Sequence, residues 1–206
     1  MKVVGRWAIV IAVLVAGGLG GPIRGDEQMH DVVIYGATAA GLTAAIQARR
    51  MDASVVVVEA SGHVGGMTTG GLSSSDVGNA GAIGGLASEF YSRVGKAYGK
   101  KERVFHFEPK VASAVFDAWL REAGIEVVTN EPIDLANGVL MKDGRIEEIV
   151  TELGRRFRGR MFIDASFEGD LMAKAGVAYT VGREPESQYG ESLAGRTARA
   201  SGGGIT

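Results

Sequence analysis

Two short apolar runs, residues 31–35 (DVVIY) and 55–58 (VVVV), bracket a stretch in which Leu42, Ala45, Ile46 and the stem of Arg49 recur at helical spacing. Runs this short and this continuously apolar suit parallel strands buried on both faces. Ala44 and Ala48 keep the intervening helix, predicted over residues 39–51, thin enough to lie on a sheet. The pattern predicts a β-α-β unit.

A second helix is predicted over residues 109–123, with Pro109 in its first turn, Val111, Ala114, Val115, Ala118 and Trp119 on its buried face, and Gly124 ending it. A strand at 125–129 follows. Next come residues 133–141, a turn at Lys142-Asp143-Gly144, and residues 145–152 and 155–158, which read as three successive strands, a β-meander. Residues 161–164 form another buried-type strand, followed by a helix at 171–175 closed by Gly176. Between 60 and 91 the chain is glycine-rich and polar, with doublets at 65–66, 70–71 and 84–85. That stretch suits backbone laid along an extended ligand better than a packed helix. The expected class is α/β, a Rossmann-like parallel sheet with a three-stranded β-meander crossover.

Composition narrows the function. The 206 residues are 46% hydrophobic and carry a net charge of -2. Such a chain can bury a core, but its field attracts no nucleic acid, and no arginine-rich helix compensates. The arginines at 155, 156, 158 and 160 read as a solvated strand face. With no cysteine, disulfides, thiolate nucleophiles and dithiol redox chemistry are excluded, so redox work requires a bound cofactor. His30, His63 and His106 lack ligand spacing, and no metal site is expected.

Residues 1–25 have the layout of a secretory signal: Lys2 and Arg6, an apolar run, then a polar start at "IRGDEQ". The strongly apolar part, 7–19, is shorter than the roughly 20 residues that span a bilayer. Export to the periplasm or the extracellular space is expected, with anchoring by residues 7–23 as the alternative.

The chemistry-bearing motif opens the first unit. In "YGATAAG", Gly36 and Gly41 occupy the first and third glycine positions of G-x-G-x-x-G, and Thr38 stands at the second. Gly36 permits the tight turn, Gly41 lets helix and strand approach, and the first-turn amides with the positive helix end suit a diphosphate. The expected contacts are Gly36, Ala37, Thr38, Ala39, Ala40 and Gly41. The Thr38 Cβ pushes the diphosphate slightly away while its hydroxyl can donate to it. Glu59, about 20 residues on, would accept from the ribose hydroxyls and repel a ribose phosphate.

The order DVVIYGATAAG, VVVVE and HVGGMTTGG resembles the FAD-binding start of the glutathione-reductase-like flavoproteins. Further on, "FHFEPKVASAVFDAWLREAGIEV" and "FIDASFEGDLMAKAGVAYTVGREPESQYGESLAG" are similar to one branch, the FAD-dependent oxidoreductases, some exported and some labelled xanthan-lyase-like. This resemblance implies FAD as cofactor and adds contacts at Ala60, Gly65, Gly66, Met67, Thr68 and Ile133. It also implies contacts at Asp164, Ala165 and Ser166, where the strand end approaches the adenosine half, although Ser166 and Asp170 equally suit helix capping. It implies an FAD-binding domain over 30–180, with 181–206 beginning a substrate domain or forming a disordered end. The chain is then the front portion of a larger, truncated enzyme.

No residue identifies itself as a catalytic acid or base. His63 and Asp76 are the better candidates, both as readily turn formers; His106, between Val104, Phe105 and Phe107, reads as half-buried packing. The small-molecule substrate stays open. The alternatives are an NAD-dependent enzyme on a related fold, an exported carbohydrate-acting lyase-like protein, and a non-catalytic nucleotide-binding fragment.

Overall fold

The computed structural model describes residues 28–72 and 74–195. The leader-like residues 1–25 and the end, 196–206, lie outside the described residues. Among the described residues no helix is long and apolar enough to cross a membrane.

Strand β1 (Met29–Tyr35) leads through Gly36 into helix α1 (Ala39–Arg50), and β2 (Val55–Val58) returns parallel to β1, pairing Val33 with Val56 and Tyr35 with Val58. Helices α2 (Gly85–Ala97) and α3 (Pro109–Ala123) then carry the chain to β3 (Glu126–Val128), parallel to β2 on its other side. Strands β4 (Val139–Lys142), β5 (Arg145–Val150) and β6 (Arg156–Asp164) follow, and then the short helices α4 (Asp170–Lys174) and α5 (Glu186–Tyr189). The six strands form one sheet in the order β3-β2-β1-β6-β5-β4. Neighbours are parallel from β3 to β6 and antiparallel from β6 to β4.

The centre of the parallel half is buried on both sides, as its apolar runs required: all four β2 valines and residues 33–35 of β1 are buried, whereas β6 beside them is open on one side, with Met161 58% and Ile163 36% exposed. One face packs Ile34, Val55 and Val57 against Leu42 and Ile46 of α1 and Phe116, Trp119 and Leu120 of α3. Phe90 of α2 stacks on Phe116 at a centroid distance of 4.6 Å and meets Phe107 edge-on at 5.8 Å. A buried ring of this kind stabilises the fold by about 2–3 kcal/mol. The other face packs Val33, Tyr35, Val56 and Val58 against Ile133, Ile149, Phe157 and Leu171. Ile149 and Phe157 belong to the antiparallel half of the same sheet, so this second core spans both halves.

The structure corrects the sequence reading in four places. Residues 155–158 and 161–164 are not two strands: β6 is continuous, pairing with β5 over its first residues and with β1 beyond them. Arg158 pairs with both neighbours, and just beyond it, at Arg160 and Met161, the alternation of buried residues shifts phase, so that Met161 and Ile163 are exposed and 161–164 is not the buried-type strand expected; a Cβ on Gly159 would stand 2.7 Å from a Val33 methyl. The strand expected over 133–141 is reduced to β4, with Ile133 making only an isolated bridge to Thr151. The stretch 60–91 is not wholly ligand-tracking backbone, since α2 begins at Gly85 and buries Phe90 and Val94. Helix α3 has the expected ends, with Gly124 left-handed at φ 62°, but it buries Ala112, Val115, Phe116, Trp119 and Leu120 and leaves Ala114 exposed.

Each arginine of the 155–160 stretch has an acidic neighbour. Arg155 approaches Glu126 and Glu131, Arg156 and Arg158 flank Glu148, and Arg160 meets Asp31 at 3.3 Å.

Candidate functional site

A cleft of about 430 Å³ opens at the C-terminal ends of β1, β2 and β6. This is where an open α/β sheet presents helix N-termini and loops to a ligand, beside the point at which successive connections diverge. Tyr35, Gly36 and Thr38 line it from β1 and its loop; Glu59, Ala60 and Ser61 line it from the end of β2; His63 and Gly66 belong to the segment after that. Ser166, Phe167, Glu168 and Asp170 come from the turn after β6.

The glycine loop is braced from three directions. Glu59 Oε2 accepts from the Ala37 amide at 2.7 Å. The Ala37 carbonyl accepts from the Gly65 amide at 2.7 Å, which ties the glycine doublet to the loop. Thr38 Oγ1 donates to the Ala165 carbonyl at 2.8 Å and accepts from the Gly41 amide at 3.3 Å as the N-cap of α1. That hydroxyl proton is the one expected at a diphosphate. It is spent on Ala165 instead, so the ligand is left the first-turn amides at Ala39 and Ala40, which have no intrahelical acceptor.

Gly36 and Gly41 are required by protein packing. Gly36 has φ 104°, and a Cβ there would stand 2.6 Å from the Ser166 amide nitrogen; a Cβ on Gly41 would collide with the Gly36 carbonyl oxygen. In the doublet, Gly65 has φ 101° and Gly66 has φ 54°, both in the left-handed region where a side chain is strained. Met67 and Thr68 continue from Gly66 as a short 3-10 turn.

Glu59 does two jobs with one carboxylate. Besides Ala37, it accepts from the amide and hydroxyl of Ser61 through Oε1, at 2.9 and 2.8 Å. A carboxylate offers about four lone-pair positions. Three are used, which leaves one toward the cleft rather than the pair expected for two ribose hydroxyls.

Asp164 turns its carboxylate inward. It accepts from the amide and hydroxyl of Ser166 and from the Met172 amide, while Ser166 Oγ accepts from the Gly169 amide. Asp164 therefore orders the turn after β6 and the start of α4, Ala165 offers the carbonyl that Thr38 grips, and Ser166 lines the cleft. Ile133 is elsewhere: its side chain is buried in the core, and its amide donates to the Tyr35 hydroxyl at 3.0 Å. Burial raises the Tyr35 pKa, and the nearby Asp170, Glu59 and Asp164 add to the effect against the opposing Ile133 bond.

Of the acid-base candidates, His63 lines the cleft and its Nε2 lies 3.0 Å from both the Gly66 carbonyl and Thr69 Oγ1, a turn-forming arrangement. Asp76 is exposed and does not line the cleft. His106 is exposed rather than half-buried, with Nδ1 2.7 Å from Ser74 Oγ. Tyr35, Ser61, Phe167, Glu168 and Asp170 were absent from the sequence-derived site; only the adjacency of β6 to β1 brings the last three there. Among the described residues no group of three His, Asp or Glu side chains is disposed to hold a metal ion.

Comparison with solved structures finds the same fold. L-proline dehydrogenase from P. horikoshii superposes with a TM-score of 0.55 at 14% identity, covering 77% of this chain and 59% of that one. The flavin-dependent brominase Bmp2 gives 0.53 at 18% identity, covering 73% and 41%. The chain thus spans less than two thirds of the length of these neighbours, and at such identities the likeness concerns fold alone. No curated protein matches the sequence. The family model described as FAD dependent oxidoreductase matches residues 31–204, and the chain belongs to that family, whose cofactor is FAD.

Proposed function

We propose that the cleft binds the ADP half of FAD and that the protein serves an FAD-dependent oxidoreductase reaction on a small molecule. The observation that carries this reading is the 2.7 Å bond from the Ala37 amide to Glu59 Oε2, which unites the strand-end acid and the glycine loop at the mouth of one helix. The residues fit the group: an amide-lined helix start for a diphosphate, an acid with acceptor capacity left for a ribose hydroxyl, and a glycine doublet hydrogen-bonded alongside. When bound, the flavin supplies the hydride or electron transfer.

The chain's own residues hold and orient. Glu59 and Thr38 fix the loop before any ligand arrives, so little ordering cost remains for binding. Glu59, Glu168 and Asp170 line the cleft without a lysine or arginine among its lining residues, which disfavours a ribose phosphate and hence NADP. Export is proposed from the leader-like composition of residues 1–25 alone.

The test is titration of the purified protein with ADP, FAD and NAD, with Glu59→Ala alongside. The reading expects ADP and FAD to bind, NAD to bind more weakly, and Glu59→Ala to weaken ADP at least tenfold. Unchanged ADP affinity in that variant overturns it.

A further inference from the structure

Phe167 is an apolar ring held at 61% exposure on the turn after β6, and it lines the same cleft as Glu59 and Thr38. Isolated exposed hydrophobics are ordinary on protein surfaces, so exposure alone means nothing. Two further observations separate this ring from that background. The turn that presents it is internally fastened by the Asp164 and Ser166 bonds on either side of Phe167, so the ring's base is fixed by hydrogen bonds that enclose its own residue. The ring also reaches across the cleft: a Cβ added to Gly66 would stand 3.0 Å from Phe167 Cζ and 3.3 Å from Thr38 Cα.

The ring tip thus rests against the glycine doublet beside the helix-capping residue, while most of the ring faces solvent. An apolar ring anchored beside the glycine doublet and the cap of α1 gains nothing from water. It gains from a ligand that covers it, and it strengthens that ligand's hydrogen bonds by excluding solvent from them.

We propose that Phe167 is a ligand-contacting residue, an aromatic cover that packs on the diphosphate stretch of the bound dinucleotide and is itself buried by it. This rests on reading the cleft as a dinucleotide site. The ring tip stands near Thr38, the cap of the helix whose first amides face the diphosphate, so it acts on the part of the ligand common to ADP and FAD and contributes to both affinities alike.

The experiment compares wild-type, Phe167→Ala and Phe167→Tyr full-length chains by calorimetric titration with ADP and with FAD, and records the ligand-free unfolding midpoint of each. The expected result is a loss of about tenfold in affinity for both ligands in Phe167→Ala, retention within twofold in Phe167→Tyr, and unchanged unfolding midpoints. In Phe167→Trp, tryptophan emission shifts to the blue on adding ADP. The proposal is overturned if Phe167→Ala binds both ligands within twofold of wild type, if its midpoint falls enough to make the ring a structural element, or if the Phe167→Trp emission ignores ADP. A wild-type chain that binds neither ligand sinks the dinucleotide reading itself, and that titration is read separately from the variants.

Discussion

Thr38 and Ala165 lie 127 positions apart in sequence, yet the threonine hydroxyl donates to the alanine carbonyl at 2.8 Å. A glycine at position 38 could make no such bond. The substitution that departs from the dinucleotide fingerprint therefore joins the loop after β1 to the turn after β6 while capping α1. Two terms follow for stability: a helix cap worth about 1 kcal/mol, and a carbonyl whose partner is lost at a cost of about 1–3 kcal/mol if it stays buried. Thr38→Val, which keeps the shape and removes both bonds, is expected to lower unfolding free energy by about 1–3 kcal/mol. Thr38→Ser should stay within about 0.5 kcal/mol of wild type. Urea unfolding monitored by circular dichroism measures both, and equal stability of the valine and serine variants would show the bond to be idle.

Gly41→Ala tests the contact between helix and loop. A Cβ there meets the Gly36 carbonyl oxygen, and backbone cannot swing aside as a flexible side chain can. The expected loss is about 3 kcal/mol or more, with ADP binding lost because α1 must shift away from Gly36. Gly99→Ala is a control of a different kind: its φ of 69° strains the backbone, but a Cβ there meets nothing within 4 Å. It should cost only about 1 kcal/mol and leave binding intact. Comparable losses in the two variants would mean that close approach at Gly41 is unimportant.

The β1-α1-β2 unit was legible in the sequence because its two strands are too apolar to be anything but buried, and α3 because Pro109 and Gly124 punctuate it at both ends. Helix α2 was hidden for an equally physical reason. It starts at Gly84 and Gly85 with no side-chain cap at the end of a glycine-rich run, and that composition masked the helical spacing of its apolar contacts, Leu86, Phe90, Tyr91 and Val94. Strand β6 read as two pieces because Arg158-Gly159-Arg160 has no apolar member, yet a strand changing partners there needs none. In the site, the loop and Glu59 were visible as local motifs. The turn after β6 came in only through the family resemblance, and only as far as Ser166; Phe167, Glu168 and Asp170 were not visible, because sheet order and the fold of that turn decide which of its residues face the cleft.

The acidic lining of the cleft sets a preference between adenosine nucleotides with and without a 2′-phosphate. Glu59, Glu168 and Asp170 surround it on two sides, and no lysine or arginine is among the lining residues. A monophosphate on the ribose 2′-oxygen would meet Glu59 at short range without a counter-charge. We expect AMP, which differs from 2′,5′-ADP only in lacking that phosphate, to displace bound FAD at least tenfold more effectively than 2′,5′-ADP, and the gap to narrow as salt screens the repulsion. Equal displacement by the two nucleotides would remove Glu59 from the ribose end of the site.

Helix α2 is tied to α1 through Glu89, whose carboxylate receives Arg50 at 2.8 Å and Arg93 at 3.1 Å. Partial burial pushes the Glu89 pKa up, but the hydrogen bonds and charges of Arg50 and Arg93 outweigh it and hold the value below the ordinary glutamate range. A folded-state pKa below the unfolded one means that the unfolded chain binds the proton more readily. The bridge's contribution is therefore complete above the unfolded value and is lost as pH falls through the depressed folded value. Glu89→Gln should flatten the acid limb of a stability-against-pH curve while leaving stability above pH 7 reduced by a constant amount. Because Glu89 is about a third exposed, that amount is modest, about 0.5–1 kcal/mol. The same variant should leave ADP affinity unchanged, since Glu89 lies on α2 and outside the cleft. Unfolding curves at several pH values between 3 and 8 decide the matter: an acid limb as steep in Glu89→Gln as in wild type would mean that other carboxylates, such as Asp31 with its bonds to Ser54, dominate acid sensitivity.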